Sequence, residues 1–148
     1  MIEPLLERLN KFHPLNAALT ERISSATNMV TYHAGDYILK EGQVCNKACL
    51  VIKGLARSYY IKEDKDITSR FMDEGFIITS WISYYTQQPG NEFIEALEET
   101  TLACINYADI QKMYTDFPEF NIVGRKQAEY GFFMAEQRTQ ILLSLIHI

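Results

Sequence analysis

The segment Gly35-Asp36-Tyr37-Ile38-Leu39-Lys40-Glu41-Gly42, followed by Leu50-Val51-Ile52-Lys53-Gly54, decides how the rest of this chain is read. Short β-rich runs lie between glycines, and glycine supplies the positive φ or the close backbone approach of a tight strand corner. Outward from this segment, residues 28–106 continue in the same manner, with β-branched and aromatic stretches alternating with turn signals. Strands are predicted at residues 29–33, 37–39, 48–52, 55–61, 67–72, 93–98 and 101–106. Lys62-Glu63-Asp64-Lys65-Asp66 reads as a charged hairpin tip, and Gln87-Gln88-Pro89-Gly90-Asn91 as a polar turn. Residues 79–85 read as a single helical turn carrying Trp81, Tyr84 and Tyr85. Strands this short and this regularly connected favour a β-roll or jelly roll over an open sheet.

Helical patterns flank the β region. Pro4 suits a first helical turn, and Leu5, Leu6, Leu9 and Phe12 recur at helical spacing. His13-Pro14 breaks that run before Leu15, Ala18, Leu19 and Ile23 start a second stripe. After Asn106, a good N-cap residue, a helix is predicted over 107–114, and another from Pro118 to the end. Inside the last helix, Ala128, Phe132, Ala135, Thr139, Leu142 and Ile146 form a heptad seam. Lys126 lies on its polar face. A second apolar face, with Val123, Met134, Ile141 and Leu145, is expected to cover the roll. Gly124 and Gly131 each cost helix propensity and so predict close packing on a neighbour. The organisation is therefore N-terminal helices over 1–27, a β-roll over 28–106 and C-terminal helices over 107–148.

Composition narrows the function classes. The chain has 148 residues, 47% of them hydrophobic and 12% aromatic, which describes one folded domain. Its net charge is −5, without a basic run beyond Arg125-Lys126, so it lacks the electrostatic footprint of a DNA binder. No apolar run reaches membrane-spanning length, and the acidic start Met1-Ile2-Glu3-Pro4 is unlike a signal peptide. A cytoplasmic protein is expected. Three cysteines, Cys45, Cys49 and Cys104, cannot form a closed disulfide set, which agrees with a reducing compartment.

The order of these parts, and Gly35-Asp36-x-Ile38-x-x-Glu41-Gly42 with Gly54 after a β run, resembles the Crp/Fnr transcription regulators. The likeness is to their cyclic-nucleotide-binding effector domain and covers nearly the whole chain. It implies a mainly β fold with flanking helices, a cyclic-nucleotide-binding-domain-like β-roll, and a long C-terminal dimerisation helix. It also implies a homodimer held by the seam from Ala128 to Ile146. The family binds nucleotide through a Gly-Glu pair after the turn at Gly75 and an Arg-Ser or Arg-Thr pair at the next strand. Here those positions carry Thr79-Ser80 and, within one residue, Glu92-Phe93.

A cyclic nucleotide's phosphate needs an arginine and backbone N–H donors, because a buried anion without a counter-charge is costly. No arginine occurs between Arg70 and Arg125, and Glu92 and Glu95 stand where the counter-charge belongs. Cyclic AMP is therefore not expected to bind. Arg70 is the one cation able to reach in, and the double substitution Phe93→Arg with Glu92→Gln is expected to raise phosphate affinity. The candidate pocket comprises Arg70, Thr79, Ser80, Trp81, Tyr84, Glu92, Phe93 and Glu95. The rings of Trp81, Tyr84, Tyr85 and Phe93 either line a pocket for a small planar ligand or fill the cavity that nucleotide occupies in relatives.

Catalysis finds little support in the residues. A cupin-type metal centre needs clustered histidines on strands, whereas His13, His33 and His147 are the only ones and just His33 falls in a predicted strand. Cys45-x-x-x-Cys49 reads as a loop cysteine followed by a small buried residue on a strand rather than half of a metal site. No cofactor, metal or enzymatic activity is expected. In the family a winged helix-turn-helix follows the long helix, whereas this sequence stops inside an apolar helical pattern at Leu143-Ser144-Leu145-Ile146-His147-Ile148. The resemblance thus implies an effector-sensing and dimerisation piece of a transcription regulator, its DNA-binding domain absent and an unidentified small molecule its effector. The alternative is a stand-alone ligand-binding or interaction module with no role at DNA.

Overall fold

The computed structural model describes residues 1–147. Ile148, the last residue of the predicted C-terminal helices, lies outside them. Two short helices open the chain, α1 (Glu3–Phe12) and α2 (Ala17–Ala26). Pro4 occupies the first turn of α1, and the Asn16 side chain accepts from the Leu19 amide at 2.8 Å to cap α2.

Eight strands follow: β1 (Asn28–Tyr32), β2 (Tyr37–Leu39), β3 (Lys47–Lys53), β4 (Ala56–Lys62), β5 (Lys65–Met72), β6 (Ile77–Ile78), β7 (Phe93–Ala96) and β8 (Thr100–Asn106). Helix α3 (Trp81–Thr86) sits between β6 and β7, and α4 (Tyr107–Asp116) and α5 (Phe120–Ile146) complete the chain. The strands form two antiparallel four-stranded sheets, ordered β1-β8-β3-β6 and β2-β7-β4-β5. This is the roll expected from the sequence.

The corners follow their glycines. Gly35, Gly42, Gly54 and Gly75 all have positive φ, and Gly54, at 116°, is wedged against the Glu99–Thr100 backbone. The charged tip is tighter than its composition suggests. β4 runs on to Lys62 and β5 restarts at Lys65, so only Glu63 and Asp64 turn, both at positive φ. Two left-handed residues in a row are the mirror-image turn that matches strand twist. Strand β6 escaped prediction because two residues carry no alternation.

Between the sheets lie Leu39, Cys49, Val51, Ala56, Met72, Ile78, Ile94, Ala96, Leu102 and Cys104, all buried. The opposite face of the first sheet, with Leu50, Ala103 and Ile105, is covered by Leu5, Leu9, Ile110, Phe120 and Val123 of the helices. Gly124 packs as predicted, since a Cβ there would collide with the Tyr114 ring and hydroxyl. Gly131 does not: its Cβ position is open within this chain. The second face of α5 also departs from expectation. Val123 is buried, but Met134, Ile141 and Leu145 stay exposed, because the helix runs past the end of the roll.

The cysteine reading needs correction. Cys49 on β3 and Cys104 on β8 lie directly opposite one another, and their sulfurs join at 2.19 Å, leaving Cys45 as the free thiol. The pairing was invisible because the two residues are 55 apart in sequence and meet only through sheet order. By the chain-entropy argument, a closed loop of that size stabilises the fold by about 4 kcal/mol. Thiol titration of the denatured, unreduced chain is expected to find one reactive cysteine, and all three after reduction.

Candidate functional site

A cavity of about 400 Å³ opens between the sheets, within the size range of small-molecule sites. Leu39, Val44, Cys49, Ile78 and Ile94 are its apolar lining; Gln43, Cys45, Asn46, Lys47 and Thr79 are the polar part. The chain before β3 is pinned against the start of α3. The Cys45 amide donates to Ser83 Oγ at 2.8 Å, Thr79 Oγ1 donates to the Lys47 carbonyl at 3.2 Å, and the Ser80 amide points at Cys45 Sγ. The Cys45 amide, the Thr79 hydroxyl and the Ser80 amide thus tie the chain before β3 to the segment that leads into α3.

Arg70 stands on the inward face of β5, opposite Ser58 of β4. Its Nη2 donates to the Thr79 carbonyl at 2.7 Å. Burial pushes this guanidinium below its ordinary value, with Glu92 opposing that shift and Arg138 of α5 adding to it. Ser80 Oγ donates to Glu92 Oε1 at 3.3 Å. Arg70, Thr79, Ser80 and Glu92 therefore gather at one place, as a cluster whose cation and carboxylate already have protein partners.

The other four candidates lie elsewhere. Strand β7 alternates, so Ile94 and Ala96 point inward while Phe93 and Glu95 point out. Phe93 stacks on Tyr59 at 5.0 Å and tilts against Tyr37, and Glu95 pairs with Arg57 at 3.1 Å, all on the face of the second sheet turned away from Ile94 and Ala96. An arginine at position 93 would stand on that same face, so the double substitution expected from the sequence would not place its charge in the cavity. Position 92 instead lies beside Ser80 and Arg70.

Trp81 and Tyr84 turn to the far side of the first sheet. There they line a separate apolar cavity of about 130 Å³ with Leu5, Leu50, Ile105 and Phe120. Trp81 stacks on Tyr85 at 5.5 Å, and Tyr84 meets Tyr107 edge-on at 5.1 Å. Burial holds the Tyr84 phenol above its ordinary value. The rings neither fill the space between the sheets nor line it; they fasten α3 to the helical layer.

Two participants were missed. Lys47 was hidden by a strand boundary placed one residue late, which left it outside the alternation that aims it inward. Arg8 on α1 was not singled out, yet its guanidinium donates to the Gly75 carbonyl at 2.6 Å and to Gln127 Oε1 at 3.2 Å, and it lies 5.6 Å from the Tyr130 ring. It thus links the turn before β6 to α5.

The profile of the cyclic nucleotide-binding domain matches residues 29–117, and the chain belongs to that family. A cyclic nucleotide-binding domain from Methylobacillus flagellatus KT superposes with a TM-score of 0.77 at 18% identity, covering 93% of this chain and 81% of that one. The Thermus thermophilus catabolite activator protein gives 0.72 at 18% identity over 94% of this chain. The N-terminal domain of a transcriptional regulator from Streptomyces coelicolor A3(2) gives 0.70 at 18%, over 91% of this chain and 94% of that one. This chain spans 62% of the catabolite activator protein's length. No curated protein gives a match. Among the described residues no helix is long and apolar enough to cross a membrane.

Proposed function

We propose that this chain is the effector-sensing and dimerising part of a Crp/Fnr-like transcription regulator, that it does not respond to cyclic AMP, and that it is not an enzyme. DNA contact falls to a helix-turn-helix segment outside these residues. The observation that carries the reading is a formed cavity between the sheets beside a long helix whose second half is uncovered: Phe132 is 72% exposed and Ile146 72%. A helix with that much apolar surface is suited to a second copy.

Rejection of cyclic nucleotide follows from the cassette. Glu92 stands where the family places its arginine and is held there by Ser80, and Arg70 is turned to the Thr79 carbonyl. A phosphate entering would meet a carboxylate in a partly desolvated site, and the repulsion would not be screened as it is in water. Calorimetric titration with cyclic AMP and cyclic GMP is expected to show no binding; a dissociation constant in the micromolar range or tighter for either would overturn the reading. A regulator of this kind works in the cytoplasm. There the Cys49–Cys104 bond would face reducing thiols, and its burial, at 1% and 3% exposure, limits their access.

A further inference from the structure

Alternation along β3 places Lys47 on the inward face with Cys49 and Val51, where an apolar residue would ordinarily stand. Its ammonium reaches the hydroxyl of Tyr32 at 3.1 Å and lies 5.7 Å from that ring. Among the described residues no carboxylate pairs with it, although Lys47 is half-buried and lines the cavity. A lysine carries three donors, and one phenol oxygen accepts from only one of them. Arg70, by contrast, is engaged by a carbonyl and stands near Glu92. The cavity therefore holds one cation in want of an anion, above a floor of Leu39, Ile78 and Ile94.

We propose that the effector is a small organic anion with an apolar body, its carboxylate or phosphate held by Lys47 and its body laid on that floor. The assignment rests on the effector-domain reading and names the ligand class of that site. Charge neutralisation at Lys47 takes the place of the arginine–phosphate contact that Glu92 forbids. Inorganic ions satisfy only half of the site, because they leave the apolar floor uncovered.

The test titrates the purified chain with benzoate, phenyl phosphate, inorganic phosphate and neutral benzyl alcohol, followed by amide chemical shifts. The organic anions are expected to bind with shifts centred on residues 43–49 and 78–79. Benzyl alcohol is expected to bind about tenfold or more weakly, the usual scale of a hydrogen bond to a charged group. Benzoate against phenyl phosphate identifies which anion the site prefers. Lys47→Gln should lose the same factor, Lys47→Arg should restore most of it, and Lys112→Gln, exposed on α4, should leave the anion affinity unchanged. Equal binding of benzoate and benzyl alcohol, tighter binding of inorganic phosphate than of the organic anions, or indifference to Lys47→Gln would each overturn the proposal. So would the absence of any shift at millimolar probe. A chain that dimerises and ignores cyclic nucleotides yet fails these titrations defeats this inference alone. A chain that binds cyclic AMP defeats the wider reading.

Discussion

Gly54→Ala is expected to cost at least about 3 kcal/mol of stability and to lower the melting temperature by at least about 6 °C. Two effects add. The backbone there has φ of 116°, which side-chain-bearing residues rarely adopt. A Cβ would also lie 2.6 Å from both the Glu99 carbonyl oxygen and Thr100 Cα, which are backbone atoms and cannot swing aside. Moving them would disturb Thr100, whose hydroxyl accepts from the Leu55 amide at 3.2 Å and donates to the Glu98 carbonyl at 2.8 Å. Gly35→Ala is the control. Its φ is 90° but nothing lies near its Cβ, so it carries only the backbone part of the cost. Thermal melts followed by circular dichroism check the pair, and equal melting temperatures for the two variants would remove the close-approach argument.

Phe132→Glu is expected to turn the proposed dimer into a folded monomer in multi-angle light scattering. Phe132 is 72% exposed and Leu142 53% exposed in the single chain, so neither contributes much to the domain's own core. Paired side by side with a copy, they would supply the largest apolar areas of the seam. Removing a buried phenylalanine side chain typically costs about 3–5 kcal/mol, and a carboxylate in its place adds repulsion from its twin across the axis. Open space at Gly131 leaves room for that close approach. Lys126 is unsuitable as a neutral control, since its ammonium donates to the Phe12 carbonyl at 2.8 Å and ties α5 to α1. Gln137→Glu, exposed on the helix, is expected to leave the assembly unchanged. A wild-type chain that is monomeric at micromolar concentrations would refute the seam.

The sequence by itself determined the roll and its flanking helices. Glycine at positive φ, two-residue alternation and helical spacing are local properties, and Gly35, Gly42 and Gly54 declare their corners without knowledge of any partner. The resemblance, carried over through the Gly75 turn, pointed to Thr79, Ser80 and Glu92 among eight candidates, with Arg70 able to reach in, and these four lie near one another in the fold. Tertiary structure alone decided which way each side chain faces. A shift of one residue in a strand exchanges inside for outside, and so Phe93 and Glu95 left the cavity while Lys47 entered it. It alone paired Cys49 with Cys104, since strands distant in sequence become neighbours only through sheet order. Trp81 and Tyr84 went to the helical layer for the same kind of reason: the direction of α3 depends on what packs beneath it, and no pattern within six residues records that.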